Sequence, residues 1–259
     1  MGKKFRKFLA TVLSLSMLAT FCAVPMTASA ESNDLKFGQD GKFKILCFAD
    51  VQEQYPLYPR IISIMEQAIQ KEEPDFIMFV GDQTEINIKS TEKGGDFDKL
   101  VSAILKPVVD AGIPYGFVFG NHDSQSYYQG QRTDKEAMLA VYQSIGDCRI
   151  TDPDPTLTGT GTCKIPIYSS DGSQVAFDLF ALDSNTYQNE LDGNTGYDNP
   201  HNDEVQWIVD NKDAGVNSIV FQHIPMPEIY NLFVEDANSS KTYGGKKYAL
   251  QLKDGVQGV

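Results

Sequence analysis

An α/β domain is predicted by three features of the chain. Short apolar runs alternate with helix-patterned segments between residues 43 and 123, the arrangement of strand–helix–strand units in a mostly parallel sheet. Two β-rich runs follow, at Lys164 to Tyr168 and Gln174 to Leu182, and add an antiparallel pair. The chain has 259 residues, 41% apolar and 22% charged, enough to bury one good-sized core. That composition excludes disordered, collagen-like and coiled-coil classes.

Taken in order, Met1 to Lys7 is basic, Phe8 to Val24 is mostly apolar, and Ala28-Ser29-Ala30 is a small-residue cleavage pattern. Residues 1–30 therefore read as a secretory signal peptide cut after Ala30, with residues 31–42 as a polar leader and the domain proper at 43–259. Thr11, Ser14, Ser16 and Thr20 dilute the apolar stretch, which argues against a membrane anchor. Phe43 to Ala49 is a buried strand that stops at Asp50. Pro59 to Glu72 puts Ile61, Met65, Ala68 and Ile69 on one helical face and stops before Pro74. Phe76 to Val80 is a second strand ending in Gly81-Asp82. Phe97, Leu100, Val101, Ile104 and Val108 form a second stripe, kinked at Pro107 and stopped at Gly112. Tyr115 to Phe119 is a third strand, ending in Gly120-Asn121-His122-Asp123.

A helix is predicted from Asp134 to about Ile145, opened by a capping box of Thr133 and Glu136. The two middle strands are joined by a tight Ser170-Asp171-Gly172 turn. A long Asn/Gly/Tyr loop from Asp183 to Asn202 leads to a helix carrying Val205, Trp207 and Ile208. Asn217 to Gln222 is a strand ending at His223. The sequence contains no internal repeat and no interdomain linker.

The formal charge is −13, and because the first thirty residues hold Lys3, Lys4, Arg6 and Lys7 and no acid, the remainder carries 18 basic against 35 acidic groups. Such a surface repels nucleic acid and anionic lipid, which require clustered Lys and Arg. Processing leaves Cys47, Cys148 and Cys163, so at most one disulfide can form. A Cys148–Cys163 bridge would add roughly 3 kcal/mol by restricting the unfolded loop. The alternative, two free thiols, stays open. Cys47 reads as a buried inert thiol.

Polar groups that end successive buried strands gather at one sheet edge, where ligands bind. That places Asp50, Asp82, Asn121, His122 and His223 together. Four strand ends supply carboxylate, amide and imidazole and no thiol, a donor set for hard or borderline divalent metals: Mn, Fe, Zn or Ca. The sequence has no Gly-x-Ser-x-Gly elbow, Walker loop or dinucleotide glycine fingerprint.

The succession Phe48-Ala49-Asp50-Val51-Gln52, Gly81-Asp82, Gly120-Asn121-His122-Asp123 and Phe221-Gln222-His223 resembles the calcineurin-like metallophosphoesterases. Leu182-Asp183-Ser184-Asn185 and His223-Ile224-Pro225-Met226-Pro227-Glu228 resemble the branch with secreted and yeast phosphatase-like members. The resemblance implies an αββα fold, a two-sheet sandwich flanked by helices, with two divalent metal ions at the sheet edge. Asp82 would bridge the ions, Asp50 and Gln52 would serve the first, and Asn121 and His223 the second. A hydroxide shared by both ions would attack phosphorus, with His122 as general acid oriented by Asp123 or Glu85.

Two departures accompany the resemblance. Gln52 stands where most members have His, and no Gly-His-x-His follows His223. The expectation is therefore a chain incomplete at its C-terminus, lacking the last strands. Glu85 occupies the position of the metal-binding Tyr of purple acid phosphatases, so no iron–tyrosinate centre is expected. The implied function is hydrolysis of a phosphomonoester or small phosphodiester, with no nucleic acid partner beyond a nucleotide substrate. The alternative is a non-catalytic phosphate- or metal-binding remnant of the same fold.

Overall fold

Strand β3 (Phe76–Val80) lies between β2 (Ile45–Phe48) and β4 (Tyr115–Val118) in a parallel sheet. Phe76, Ile77, Met78 and Phe79 are all buried, as a central strand covered on both faces requires. The computed structural model describes residues 34–54, 57–85, 97–123, 127–128, 131–132, 134–187, 196–239, 242–243 and 246–253. The signal-peptide expectation falls on residues outside these.

Helices connect the parallel strands. Helix α1 (Pro59–Glu72) starts with proline in its first turn and ends where Glu73 turns left-handed, at φ 44°, ahead of Pro74. Helix α2 (Phe97–Ala111) buries Phe97, Leu100, Val101, Ile104, Leu105 and Val108, holds Pro107 within its length, and is followed by Gly112 at φ +66°. Helix α3 (Lys135–Gln143) is capped by Asp134, whose carboxylate accepts from the Ala137 amide at 2.9 Å. Thr133, the expected cap, lies outside the described residues. Asp134 performs the capping because its short acceptor reaches the third amide of the helix.

The second sheet has the order β1-β7-β8-β9. β7 (Cys163–Tyr168) pairs antiparallel with β8 (Val175–Ala181), and β8 pairs parallel with β9 (Asn217–Phe221). β7 alternates buried and half-buried residues, with Cys163, Ile165 and Ile167 facing the core. The stretch read as a polar leader contributes β1 (Leu35–Lys36), parallel to β7 with Leu35 opposite Ile167. Helix α4 (Asn202–Asn211) precedes β9 and contacts β7. Tyr127–Tyr128 (β5) and Gln131–Arg132 (β6) pair as a short antiparallel hairpin.

Both sheets share one apolar core, in which Ile77 and Phe117 of the first sheet join Ile165 and Leu179 of the second. Phe117 stacks on Tyr142 of α3 with ring centroids 4.0 Å apart. The result is the mixed α/β two-sheet architecture with flanking helices. Beyond His223 the sequence reading places no element. The structure adds a 3₁₀ turn at Pro227–Leu232 and a small antiparallel sheet, in which β12 (Lys246–Leu252) lies between β10 (Phe233–Glu235) and β11 (Thr242–Tyr243). Cys47, Cys148 and Cys163 are free thiols, and Cys47 is exposed rather than buried because β2 is an edge strand. Among the described residues no helix is long and apolar enough to cross a membrane.

Candidate metal centre

Asp50 follows β2, Asp82 follows β3, Asn121 and His122 follow β4, and His223 follows β9. Each therefore stands at the carboxyl end of a parallel strand, where such sheets bind ligands, but the strands belong to two sheets, β2-β3-β4 and β1-β7-β8-β9, rather than to the single sheet edge expected. The backbone there departs from strand geometry: Asp50, Gln52 and Asp82 have φ of 53°, 47° and 52°. A non-glycine residue in this left-handed region costs on the order of 1–3 kcal/mol. The surrounding ladder holds it. The Asp50 amide donates to the Gly81 carbonyl (3.1 Å), Gln52 to Asp82 (2.9 Å), Glu53 to Gln83 (3.1 Å) and Glu85 to Glu53 (3.0 Å). These bonds extend the β2–β3 pairing past the strands and fix where the carboxylates stand.

Asp82 is the hub and is only 2% exposed. Its Oδ1 accepts from the His122 backbone amide at 2.8 Å. Its Oδ2 accepts from Gln52 Nε2 at 3.3 Å and lies 3.3 Å from His223 Nε2 and 4.0 Å from His122 Nε2. Ligand atoms of Asp50, Asp82 and His223 all lie within 4.8 Å of one another. Asn121 is buried between Gly120 and His122, both of which abut Asp82. Two glycines make this convergence possible. A Cβ on Gly81 would stand 2.3 Å from the His223 ring, and one on Gly120 would stand 2.1 Å from Asp82 Oδ1.

The donor set fits a cation. His223 Nδ1 bonds the Val80 carbonyl at 2.9 Å, which fixes the ring and turns Nε2 toward the acidic cluster, as in metal-ligating histidines. Burial opposes charging of His223, but hydrogen bonds to Asp82 and Val80 and the charges of Asp82 and Asp50 push it up to about 9. Burial likewise opposes ionisation of Asp82, yet His223 and His122 hold it below the usual carboxylate range. Both shifts reflect the negative charge concentrated at this cluster, which attracts a positive partner.

The other expected site residues take different places. Asp123 is fully buried and accepts from the Gly120 amide (2.8 Å), the Thr84 amide (2.9 Å) and Thr84 Oγ1 (3.2 Å). Desolvation pushes its carboxyl up to about 6. It braces the turn that carries Asn121 and His122. Glu85 is held through its backbone, by the bond to Glu53 noted above.

Around this cluster lies a second ring of residues, in which the sequence singles out the Asp183-Ser184-Asn185 motif without assigning it a role and gives no sign of Lys135. Lys135 Nζ bonds both oxygens of buried Asp183 at 2.7 Å and lies 5.4 Å over the Phe119 ring. The Asp183 carboxylate also accepts from the Thr160 amide, and Ser184 Oγ accepts from the Ile224 amide, next to His223. Glu204, fully buried, accepts from the His201 amide, Asn185 Nδ2 and Thr162 Oγ1. Its place three residues after the N-cap His201 is a capping-box signal that the sequence carries. Asn121 Nδ2 donates to Tyr187 Oη at 2.8 Å.

The edge-of-sheet acidic and imidazole cluster on a two-sheet α/β scaffold defines the class. The calcineurin-like phosphoesterase family profile matches residues 43–257, and the chain belongs to that family. Phosphatase DCR2 of Saccharomyces cerevisiae is 27% identical over 240 residues, covering 84% of this chain and 40% of the yeast protein. Two Arabidopsis thaliana proteins, "Probable inactive purple acid phosphatase 28" and "Probable inactive purple acid phosphatase 14", are 27% and 26% identical and cover 77% and 86% of this chain. The chain spans 57% and 64% of those plant proteins. The crystal structure of a dimetal phosphatase from Danio rerio matches 71% of this chain and 70% of that one at 13% identity, with a TM-score of 0.47.

Proposed function

We propose that the protein is a metal-dependent phosphoesterase that hydrolyses a phosphomonoester or a small phosphodiester with water. In this reading Asp50, Gln52, Asp82, Asn121 and His223 hold two divalent ions, with Asp82 shared between them. The observation that supports it most is the convergence of the strand-end residues on the Asp82 carboxylate. Two ions bound there would polarise the phosphoryl oxygens and lower the pKa of water. The chain's own residues do the rest. Asp82 and Asp50 attract the ions, and the Gln52 and Asn121 carboxamides offer neutral oxygens that leave net positive charge for a phosphate. His122 is the proton donor to the leaving oxygen. Its side chain is 27% exposed beside Asp82, so a leaving group arriving from solvent can reach it. The acidic surface favours small esters over polymers. Secretion after removal of residues 1–30 belongs to the same proposal.

A second reading, a non-catalytic phosphate- or metal-binding module, is favoured by Gln52 and by relatives whose names include "inactive". Hydrolysis of an aryl phosphomonoester and its diester with added Mn²⁺ separates the two. The enzyme reading expects turnover that drops about 10²–10⁴-fold in His122→Ala. Mn²⁺ binding without turnover in either ester class establishes the binding module instead.

A further inference from the structure

We propose that Tyr187 is a positioning residue for Asn121, holding its carboxamide so that the oxygen faces the cation site. This rests on the metal-centre reading above and adds a residue to it. A carboxamide has a donating side and an accepting side, and only the oxygen can ligate a cation. Asn121 is 4% exposed, so solvent does little to decide which way its amide points. The phenol oxygen of Tyr187 accepts from Nδ2 at 2.8 Å, reaching across 66 residues of sequence. With the donating side turned to Tyr187, Oδ1 lies on the opposite edge of the carboxamide plane.

The strut behind that phenol is built for rigidity. The Tyr187 ring stacks on Tyr197, with centroids 5.6 Å apart and planes 21° from parallel. The two residues are also paired as an antiparallel bridge, and the Asp198 amide donates to the Thr186 carbonyl at 3.2 Å. Two residues before Tyr187, Asn185 sits at φ 62° and donates through Nδ2 to the Asn199 carbonyl and to Glu204 Oε2, both at 3.1 Å. Glu204 is buried in the first turn of α4. The segment from Asn185 to Tyr187 is thus held at one end by α4, through Glu204, and at the other by Tyr197, and its phenol meets Asn121. Partners of metal ligands that act in this way typically change metal affinity 10–100-fold when removed.

The test is Mn²⁺ binding by isothermal titration calorimetry to the full chain, its Tyr187→Phe and Asn121→Ala variants, and the double variant. Tyr187→Phe keeps the ring and its stack on Tyr197 and removes the hydroxyl to which Asn121 Nδ2 donates. The expected result is an affinity about 10–100-fold weaker for Tyr187→Phe, with no further loss when it is added to Asn121→Ala. A merely structural role would lower the melting temperature of the metal-free protein and leave the two effects additive. Unchanged Mn²⁺ binding in Tyr187→Phe, or additive losses, overturns this inference and leaves the metal centre standing. Absence of Mn²⁺ binding in the unaltered chain overturns both.

Discussion

At Asp82 one carboxylate meets the His122 amide, the Gln52 carboxamide and two imidazoles, and Gly120 and Gly81 leave the space that the Asp82 carboxylate and the His223 ring occupy. Gly81→Ala would push a methyl into the His223 ring at a position whose φ is +81°. The expected outcome is a loss of about 1–3 kcal/mol in urea unfolding together with Mn²⁺ binding at least about 10-fold weaker by calorimetry. A variant that binds Mn²⁺ as tightly as the parent would show that His223 is not needed. Lys135 illustrates a different dependence. Its ammonium is the cation bound to buried Asp183, and breaking a buried pair leaves an uncompensated charge. Lys135→Met should therefore cost about 3–5 kcal/mol in urea unfolding, and a cost below about 1 kcal/mol would mean that the pair contributes no more than a solvent-exposed one.

Helix α4 shows how an element can depend on one titrating group. Desolvation pushes Glu204 up to about 7, the nearby charge of Asp183 adding to the rise and the His201 amide opposing it. A carboxyl that is raised in the folded protein binds its proton more tightly there than in the unfolded chain. Its contribution to stability is therefore greatest when protonated and declines as pH rises from the ordinary glutamate value to about 7. Glu204→Gln should remove that decline, so the variant gains on the parent between about pH 5 and about pH 8 in thermal unfolding. A stability difference flat across that range would place the Glu204 titration elsewhere. This helix also marks a limit of sequence reading. Its start was legible, but Val209 is 64% exposed while Glu204 is buried, the reverse of what residue type suggests. Burial follows from three donors, at Asn185, Thr162 and His201, that only the fold brings together. β1 escapes for a similar reason, since Leu35-Lys36 carries no pattern and becomes a strand by pairing with Ile167 and Tyr168. β12 did carry a signal, with Tyr248, Leu250 and Leu252 alternating with Lys247, Ala249 and Gln251.

Across the molecule, the parts legible in the sequence are those where one chain segment decides its own fate. Phe76 to Phe79 is continuously apolar and stops at Gly81, so β3 and the placement of Asp82 at its end follow directly. The nearness of Asp50 to Asp82 follows from neighbouring strand ends sharing a sheet edge, whereas His223 joins them from the end of β9 in the other sheet, a meeting that only the tertiary packing makes. Tyr187 had no such signal, because its link to Asn121 is tertiary. If the centre binds metal, saturation should stabilise the whole fold by mass action. Mn²⁺ at 100 times its Kd contributes about 2.7 kcal/mol, which raises the melting temperature by roughly 5–10 °C for a chain of this size, and EDTA should reverse the shift. An unchanged melting temperature at saturating Mn²⁺ would count against a native site. The position of β9 has one more consequence, in the order of synthesis. Asp50, Asp82 and Asn121 belong to the sheet β2-β3-β4, which the ribosome completes early, whereas His223 follows the last strand of the other sheet. A growing chain thus carries three acidic or amide donors long before the imidazole that steadies them. If the centre binds metal, chains stalled before His223 should hold Mn²⁺ more weakly than the released protein, which would make metal uptake a late event in biogenesis.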